Sequence, residues 1–244
     1  KPRAMSTISD RLTEIRGRIA SAAQSAGRDP ASVRLVAVSK TFPCESIPEP
    51  SAAGQRDLGE NRVQEALPKI EQALQKIGRS ADQSIRWHLL GHLQTNKARK
   101  AAPAFAVIQS VDSVELIQKI DQAAADARHA PELLIQVELA GEATKFGTPP
   151  AEVPRLFEAA AACRAARVVG LMTLPPAPDT PEDSRRWFRQ LRALREQWQA
   201  SGVPISMLRE LSMGMSGDFE VAVEEGATIV RVGTAIFGSR HVEQ

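Results

Sequence analysis

The amino-acid sequence predicts a single (β/α)₈ barrel (a TIM barrel) preceded by one extra N-terminal helix. Eight short apolar segments alternate strictly with segments of helical periodicity. The chain has 244 residues, a size that α/β barrels commonly fill as one domain. Such alternation is typical of a parallel sheet covered by helices. An open doubly wound sheet is the alternative, because a sequence pattern does not reveal whether the sheet closes.

The predicted elements follow one another along residues 5–244, which form the expected domain. Residues 1–4 precede Met5 and are expected to be an artificial or disordered extension. The first helix begins after Thr7, which pairs with Asp10 in a capping box. The predicted strands are 35–40, 56–60, 87–90, 106–110, 133–139, 168–172, 210–213 and 228–232. The predicted helices include 63–77, 95–102, 114–124, 151–163, 219–225 and 234–237, together with one that Thr180 opens and that buries Trp187, Leu191, Leu194 and Trp198.

Composition excludes several classes of protein. Hydrophobic residues make up 43% and charged residues 25%, which is ordinary for a globular chain and excludes disorder and coiled coil. The net charge is only +2, and no long basic stripe indicates a nucleic-acid partner. No apolar run reaches the length of a membrane span. Two distant cysteines cannot build a disulfide framework, so a reducing, cytoplasmic compartment is expected.

The loops after the last two predicted strands indicate a phosphate site. In a barrel of this type, catalytic and binding groups follow the carboxyl ends of the strands, and the loops after strands seven and eight frequently bind phosphate. Glycines there allow close backbone approach, and hydroxyl groups can donate hydrogen bonds. These residues are Gly214, Gly217, Gly233, Ser212, Ser216 and Thr234. Read in isolation, the same residues are also common in ordinary turns.

Lys40 is a candidate for a Schiff-base amine. It ends the first apolar strand, at the mouth of the predicted barrel. A lysine in a dry pocket has a lowered pKa and becomes nucleophilic, although a lysine at a strand end more often extends into solvent. A Schiff-base lysine beside a phosphate site fits two chemistries: an aldolase of sugar phosphates, or a protein that binds pyridoxal 5′-phosphate (PLP).

Arg231 favours the PLP interpretation. Strand alternation directs it the same way as Gly233, toward the barrel mouth. In PLP proteins the pyridine nitrogen meets an aspartate or an arginine. An arginine stays protonated and does not protonate the ring, so it disfavours carbanion chemistry. The structural alternative is an ion pair of Arg231 with Glu210 or Glu60 inside the barrel.

Several segments together resemble the pyridoxal phosphate homeostasis proteins. They are 37–41 (AVSKT), 59–61 (GEN), 87–88 (WH), 91–97 (GHLQTNK), 170–172 (GLM), 211–218 (LSMGMSGD) and 230–238 (VRVGTAIFG). The resemblance runs from the first helix to Arg240 and implies a barrel like the N-terminal domain of alanine racemase, carrying PLP.

The resemblance also implies roles for individual residues. Lys40 matches the Schiff-base lysine that holds PLP as an internal aldimine, and Arg231 matches the residue facing the pyridine nitrogen. The phosphate contacts would come from Ser212, Gly233 and Thr234, with backbone groups around Met213 and Gly214. Asn61 is expected near the ring, whereas His88 lies in a family motif without an assigned contact.

Two departures from the family concern additional lysines. Phe42 stands where relatives often have a second lysine, and the chain closes in 239–244 (SRHVEQ) without a lysine-rich tail. Lys145 does match a family lysine. A secondary PLP site, where one exists in relatives, is therefore expected to be reduced here to Lys145.

The predicted function is PLP homeostasis or delivery, without racemase activity and without catalytic residues. The chain has no tyrosine, which is the second base of alanine racemase, and it has no room for that enzyme's second domain. The open alternatives are a PLP enzyme of narrow activity that uses His88 or a cysteine as second base, and a cofactor-free Schiff-base aldolase. PLP and PLP-requiring apo-enzymes are the expected partners, and a monomer is expected. A metal site is not predicted, because Gly91 interrupts the spacing of His88 and His92.

Overall fold

The computed structural model describes residues 7–77, 85–141 and 146–238. Its centre is a closed barrel of eight parallel strands in sequence order, with β8 paired to β1. The strands are β1 Arg34–Val38, β2 Asp57–Glu60, β3 Arg86–Leu89, β4 Val107–Val111, β5 Glu132–Gln136, β6 Arg167–Met172, β7 Glu210–Ser212 and β8 Ile229–Val232. The predicted (β/α)₈ barrel is confirmed, and the open doubly wound sheet is wrong.

Helices surround the barrel and connect successive strands. They are α1 Ile8–Ser25, α2 Pro48–Ala52, α3 Val63–Ile77, α4 Ala98–Ala101, α5 Val114–Asp126, α6 Val153–Ala161, α7 Arg185–Ala200, α8 Phe219–Glu224 and α9 Thr234–Phe237. Helix α1 is the predicted extra helix, and it packs against α8 and α9. Its capping box is present: the Asp10 backbone N–H donates to the Thr7 hydroxyl (3.0 Å), and the Thr7 N–H donates to the Asp10 carboxylate (2.9 Å).

The hydrophobic core has two parts. The larger part lies between the outer faces of the strands and the helices. The smaller part fills the barrel interior with Val36, Val107, Leu134, Val169, Met172 and Ile229. Because side chains alternate along a strand, neighbouring positions of one strand serve different parts. The interior is therefore packed, and ligands can approach only from the barrel ends.

The structure corrects two local predictions. Strand β1 ends at Val38, so Lys40 lies in the following loop and not at the strand end. In α7, Phe188 is fully buried, whereas Trp187 is only half-buried and carries the Arg186 guanidinium 4.5 Å from its ring centre. The predicted core position of Trp187 is wrong because the buried face of α7 runs through Phe188, Leu191 and Trp198, and Trp187 lies at the edge of that face.

Some predictions fall on residues that the structure does not describe. These are the expected extension 1–4, Lys145 and the closing segment 239–244. Among the described residues, no helix has the length and apolarity needed to cross a membrane.

Candidate functional site

Lys40 lies where the first and last strands of the barrel meet. Gly233, directly after β8, packs against Val38: a Cβ on Gly233 would lie 3.3 Å from the Val38 carbonyl oxygen. The loop that follows Lys40 is held against α9 by the Phe42 and Phe237 rings, whose centres are 5.1 Å apart. The half-buried Lys40 is therefore positioned beside the start of α9.

The backbone next to Lys40 is under constraint on two sides. Thr41 has φ +67°, a left-handed conformation that costs energy for a residue other than glycine. On the other side, Ser39 is anchored through its carbonyl oxygen, which accepts from Lys69 Nζ at 2.9 Å, and through its hydroxyl, which donates to Glu60 at 2.7 Å. Lys69 also pairs with Glu60 at 2.6 Å. The Lys40 backbone is thus fixed from outside the barrel.

The loop after β7 forms a tight turn around Gly214. This residue has φ +92°, and a Cβ there would lie 2.5 Å from the Ala222 side chain, so only glycine fits. The Gly214 carbonyl accepts a hydrogen bond from the Arg231 backbone N–H at 3.0 Å. Asp218 closes the turn, because its two carboxylate oxygens accept from the Met215 N–H and from the Ser184 hydroxyl, each at 2.7 Å.

Two loops together form a small cradle of hydrogen-bond donors. The Gly233 N–H donates to the Ser216 hydroxyl at 3.3 Å, which links the loop after β7 to the loop after β8. Thr234 is exposed and opens α9, whose first N–H groups have no acceptor within the helix. Backbone that a ligand can approach closely, N–H groups without an acceptor in the helix, and hydroxyl groups together suit the binding of an anion such as a phosphate. Ser216 supplies the hydroxyl that links the two loops, and the hydroxyl of Ser212, a predicted phosphate contact, is buried between Arg231 and Gln109.

Arg231 is buried inside the barrel. Its Nη1 donates to the Ser212 hydroxyl at 2.6 Å, and its Nη2 donates to the Thr173 carbonyl oxygen at 2.9 Å. Burial lowers the pKa of Arg231 to about 10, and the Asp218 charge partly opposes this shift. The alternative ion pairs are wrong within the described chain: Glu60 pairs with Lys69, and Glu210 pairs with Arg34 and Arg209.

A chain of polar side chains continues from Ser212 across the interior. The Ser212 hydroxyl is 2.5 Å from Gln109 Oε1, and Gln109 Nε2 is 2.9 Å from His88 Nδ1. His88 Nε2 is in turn 2.8 Å from the Asp57 carboxylate. Burial lowers the pKa of His88, although Asp57 acts in the opposite direction. The sequence assigned no role to Gln109 or Asp57, because neither belongs to a recognisable motif.

The remaining predicted residue near the ring, Asn61, lies at the same end of the barrel. Its backbone packs against Gly91, where a Cβ would lie 2.1 Å from the Asn61 carbonyl oxygen. Beyond Gly91, the His92 ring stacks on Phe146 with centres 3.8 Å apart, and His92 Nδ1 lies 3.2 Å from Asp112. Burial raises the pKa of Asp112, and His92 partly opposes this shift. Among residues 7–77, 85–141 and 146–238, no cluster of His, Cys, Asp or Glu could hold a metal ion.

The candidate second bases are buried, already hydrogen-bonded or outside the barrel. His88 is fully buried with both ring nitrogens hydrogen-bonded. Cys44 is buried in the outer core. Cys163 follows α6 outside the barrel, where burial raises its thiol pKa to about 11.

Known proteins share both the sequence and the fold. The family profile described as "Alanine racemase, N-terminal domain" matches residues 11–241. Two proteins named "Pyridoxal phosphate homeostasis protein" are similar over nearly their whole length: the one from Aquifex aeolicus is 43% identical and covers 95% of this chain and 97% of its own. The one from Pseudomonas aeruginosa is 40% identical, with 97% of each chain covered.

Solved structures agree with these relatives. PipY of Synechococcus elongatus, with PLP bound, has a TM-score of 0.80 at 40% identity, covering 95% of this chain and 100% of PipY. An alanine racemase from Clostridium difficile has a TM-score of 0.67 at 15% identity, covering 96% of this chain and 58% of the racemase. At that identity the racemase supports the fold alone.

Proposed function

The chain belongs to the pyridoxal phosphate homeostasis proteins, within the alanine racemase N-terminal domain family, and on that premise we propose that it binds PLP and buffers or delivers it without being an enzyme. PLP would be held covalently by the Lys40 amine at the barrel mouth. When bound, the cofactor supplies an aldehyde for amines and a ring that withdraws electrons. The residues of this chain determine how much of that chemistry is used.

One observation carries the proposal: three groups that PLP requires converge where β1 and β8 meet. The β1 end, with Lys40 two residues beyond it, packs on Gly233, which begins the anion cradle. Arg231 lies two residues before Gly233 and hydrogen-bonds to the loop after β7. The ends of adjacent strands therefore supply an amine, a phosphate cradle and a cation for the ring. A small ligand that carries both an aldehyde and a phosphate, as PLP does, needs these groups close together.

The proposed roles follow the geometry of each residue. Lys40 binds the aldehyde, and Gly233, Thr234 and the backbone at Met213 and Gly214 bind the phosphate, assisted by Ser216. Arg231 faces the pyridine nitrogen, and Asn61 lies beside the ring. Ser212 supports Arg231 through its hydroxyl, and its contact with the phosphate stays a prediction.

A carrier is favoured over an enzyme because proton transfer is poorly supported. Arg231, with a pKa of about 10, stays protonated at neutral pH and donates hydrogen bonds without giving up a proton. The chain has no tyrosine, His88 is buried with both ring nitrogens hydrogen-bonded, Cys44 is buried, and Cys163 follows α6 outside the barrel. A ligand amine can thus exchange with Lys40, whereas His88, Cys44 and Cys163 are poorly suited to act as a second base for racemisation.

Absorption spectroscopy tests the covalent site. The protein incubated with PLP should show a visible absorbance band, and borohydride should fix the cofactor on the peptide that contains Lys40. Lys40→Ala should lose the band, while Lys119→Ala, which removes an exposed lysine of α5, should keep it. A colourless protein that instead traps a sugar phosphate with borohydride would establish the aldolase.

Proton exchange tests the non-enzymatic role. The loaded protein, incubated with amino acids in deuterated water, should leave their α-protons in place over many hours, as followed by proton NMR. Exchange at an appreciable turnover would establish a PLP enzyme. Delivery is tested by mixing loaded protein with an apo-enzyme that requires PLP, and light scattering tests the proposed monomer.

A further inference from the structure

Inside the barrel, polar side chains from five different strands form a continuous line between Asp57 and Arg231. They are Asp57 of β2, His88 of β3, Gln109 of β4, Ser212 of β7 and Arg231 of β8. Consecutive partners are 2.5–2.9 Å apart, and the three middle residues have no exposed surface. We propose that this line is a one-directional hydrogen-bond chain in which Asp57, His88, Gln109 and Ser212 position the Arg231 guanidinium for its ligand.

The direction is fixed at the arginine end. A guanidinium only donates, so the Ser212 oxygen accepts from Arg231 and its single hydrogen goes to Gln109 Oε1. With its oxygen thus engaged, Gln109 presents its Nε2 hydrogens to His88 Nδ1. Nδ1 must therefore be the unprotonated nitrogen of the ring.

The direction is fixed independently at the other end. The Asp57 carboxylate only accepts, so His88 Nε2 carries the hydrogen that points at it. Burial raises the pKa of Asp57, but the hydrogen bond from His88 and the charges of Arg86 and Arg34 lower it overall, which keeps the carboxylate ionised. Both ends specify the same tautomer of His88 and the same orientation of the Gln109 amide.

A protonated His88 does not fit this arrangement. Its Nδ1 hydrogen would face the Gln109 hydrogens, and turning the amide would then direct the hydrogens of Gln109 at Ser212. Ser212 already accepts from Arg231, and its own hydrogen would lose its acceptor. Since an unsatisfied buried polar group is costly, the chain holds His88 neutral.

The hydrogen-bond chain fixes the orientation of the long Arg231 side chain. Each of the two guanidinium nitrogens that donate to Ser212 and Thr173 carries a second N–H. With Ser212 held by Gln109 from across the barrel, these N–H groups keep a set direction. Asp57, His88, Gln109 and Ser212 are therefore positioning residues for Arg231, and their effect on the cofactor rests on the proposed function.

The first experiment needs no cofactor. Nitrogen-15 NMR of histidine-labelled protein should show one histidine, absent in His88→Asn, as the neutral Nε2–H tautomer throughout about pH 5 to 8, where free histidines titrate. An Nδ1–H tautomer, or a normal titration of that signal, would contradict the proposed hydrogen-bond chain.

The second experiment measures the affinity of the full-length protein for PLP and the absorbance of the bound cofactor. Gln109→Leu and Ser212→Ala each break one link, and each should weaken PLP binding about tenfold, as expected for one lost hydrogen bond, and shift the absorbance band. Gln55→Leu is the control: Gln55 is a buried glutamine that donates to the backbone carbonyl oxygens of Leu35 and Asp57 and to none of the side chains of the line. It should affect stability alone.

The outcomes separate the two proposals. If the wild-type protein binds no PLP, the proposed function is wrong. The tautomer of His88 then still tests whether the hydrogen-bond chain exists. If PLP binds and both Gln109→Leu and Ser212→Ala keep the wild-type affinity and spectrum, the positioning role is overturned. Using two variants keeps the test decisive if one of them does not fold.

Discussion

Arg231 is a buried cation whose side chain donates to two neutral acceptors, the Ser212 hydroxyl and the Thr173 carbonyl oxygen. Burying an unpaired charge is costly, and the cost is visible in the lowered pKa of this arginine. A charge retained at this cost, at the mouth of a barrel, is typical of a binding group. This energetic cost supports the ring-binding role proposed for Arg231.

His88 makes the stability of the protein depend on pH. Because burial lowers its pKa in the folded state, the unfolded chain binds the proton more readily. We expect the free energy of unfolding to be fully retained above about pH 6.5 and to fall as the pH decreases below that value, by at most about 1.4 kcal/mol per pH unit. Urea unfolding between about pH 4 and 8 measures this dependence.

His88→Asn supplies the control for that measurement. The variant should be less stable than wild type at neutral pH, and its stability should change less between about pH 6.5 and 5. Asp57, whose pKa is lowered, contributes a separate loss below about pH 3.9, the ordinary value for aspartate. Equal slopes for both proteins in the upper range would show that His88 keeps a normal pKa.

At the scale of the element, the loop between β7 and α8 depends on Gly214. The residue combines φ +92° with contact to Ala222 and Phe219 of α8, so it fixes both the turn and its distance from the helix. The Gly214 carbonyl also accepts from the Arg231 backbone. A change here is transmitted to the cradle and to the arginine together.

Gly214→Ala should therefore destabilise the protein by more than about 1 kcal/mol and reduce PLP affinity at least tenfold. Gly217→Ala is the matched control in the same loop, since a Cβ at Gly217 meets no atom within 4 Å and its φ is not positive. Chemical denaturation and a PLP titration measure both effects. Similar results for the two variants would mean that the turn tolerates a side chain at Gly214.

Element positions could be predicted well from the sequence, because strands and helices follow from local periodicity. The capping box of Thr7 and Asp10, the barrel strands and the glycine-rich loops all depend on neighbours in sequence. Helix α2 was not predicted, because its prolines, Pro48 and Pro50, obscure a helix of only five residues. Proline fits the first helical turn, so both residues are compatible with the structure.

The site was predicted less completely, since its second half depends on contacts across the barrel. Lys40 and Arg231 could be found from strand ends and motifs. The position of the Ser212 hydroxyl depends on whether it points inward or toward the loop, which is settled by Gln109, 103 residues earlier. No local pattern in the sequence encodes that pairing.

At the scale of the whole molecule, stability depends on filling the barrel interior. Leu134 belongs to the small interior cluster and is fully buried, whereas Leu74 on α3 is 44% exposed. Leu134→Ala should lower the free energy of unfolding by about 2–5 kcal/mol, because it leaves a cavity among strands that close on themselves. Leu74→Ala should change it by less than about 0.5 kcal/mol. Guanidinium unfolding followed by tryptophan fluorescence measures both.

The pairing of β1 with β8 has a consequence for when the protein can first bind its cofactor during synthesis. Val36 pairs with Arg231, so the proposed cofactor site unites segments that the ribosome makes almost 200 residues apart. A chain still in synthesis possesses Lys40 but neither the cradle nor the arginine. We expect capture of the cofactor to begin only after β8 has emerged and joined β1, since contacts this distant in sequence form late. The visible absorbance of bound PLP would then indicate molecules whose barrel has closed, and incomplete chains would not bind PLP.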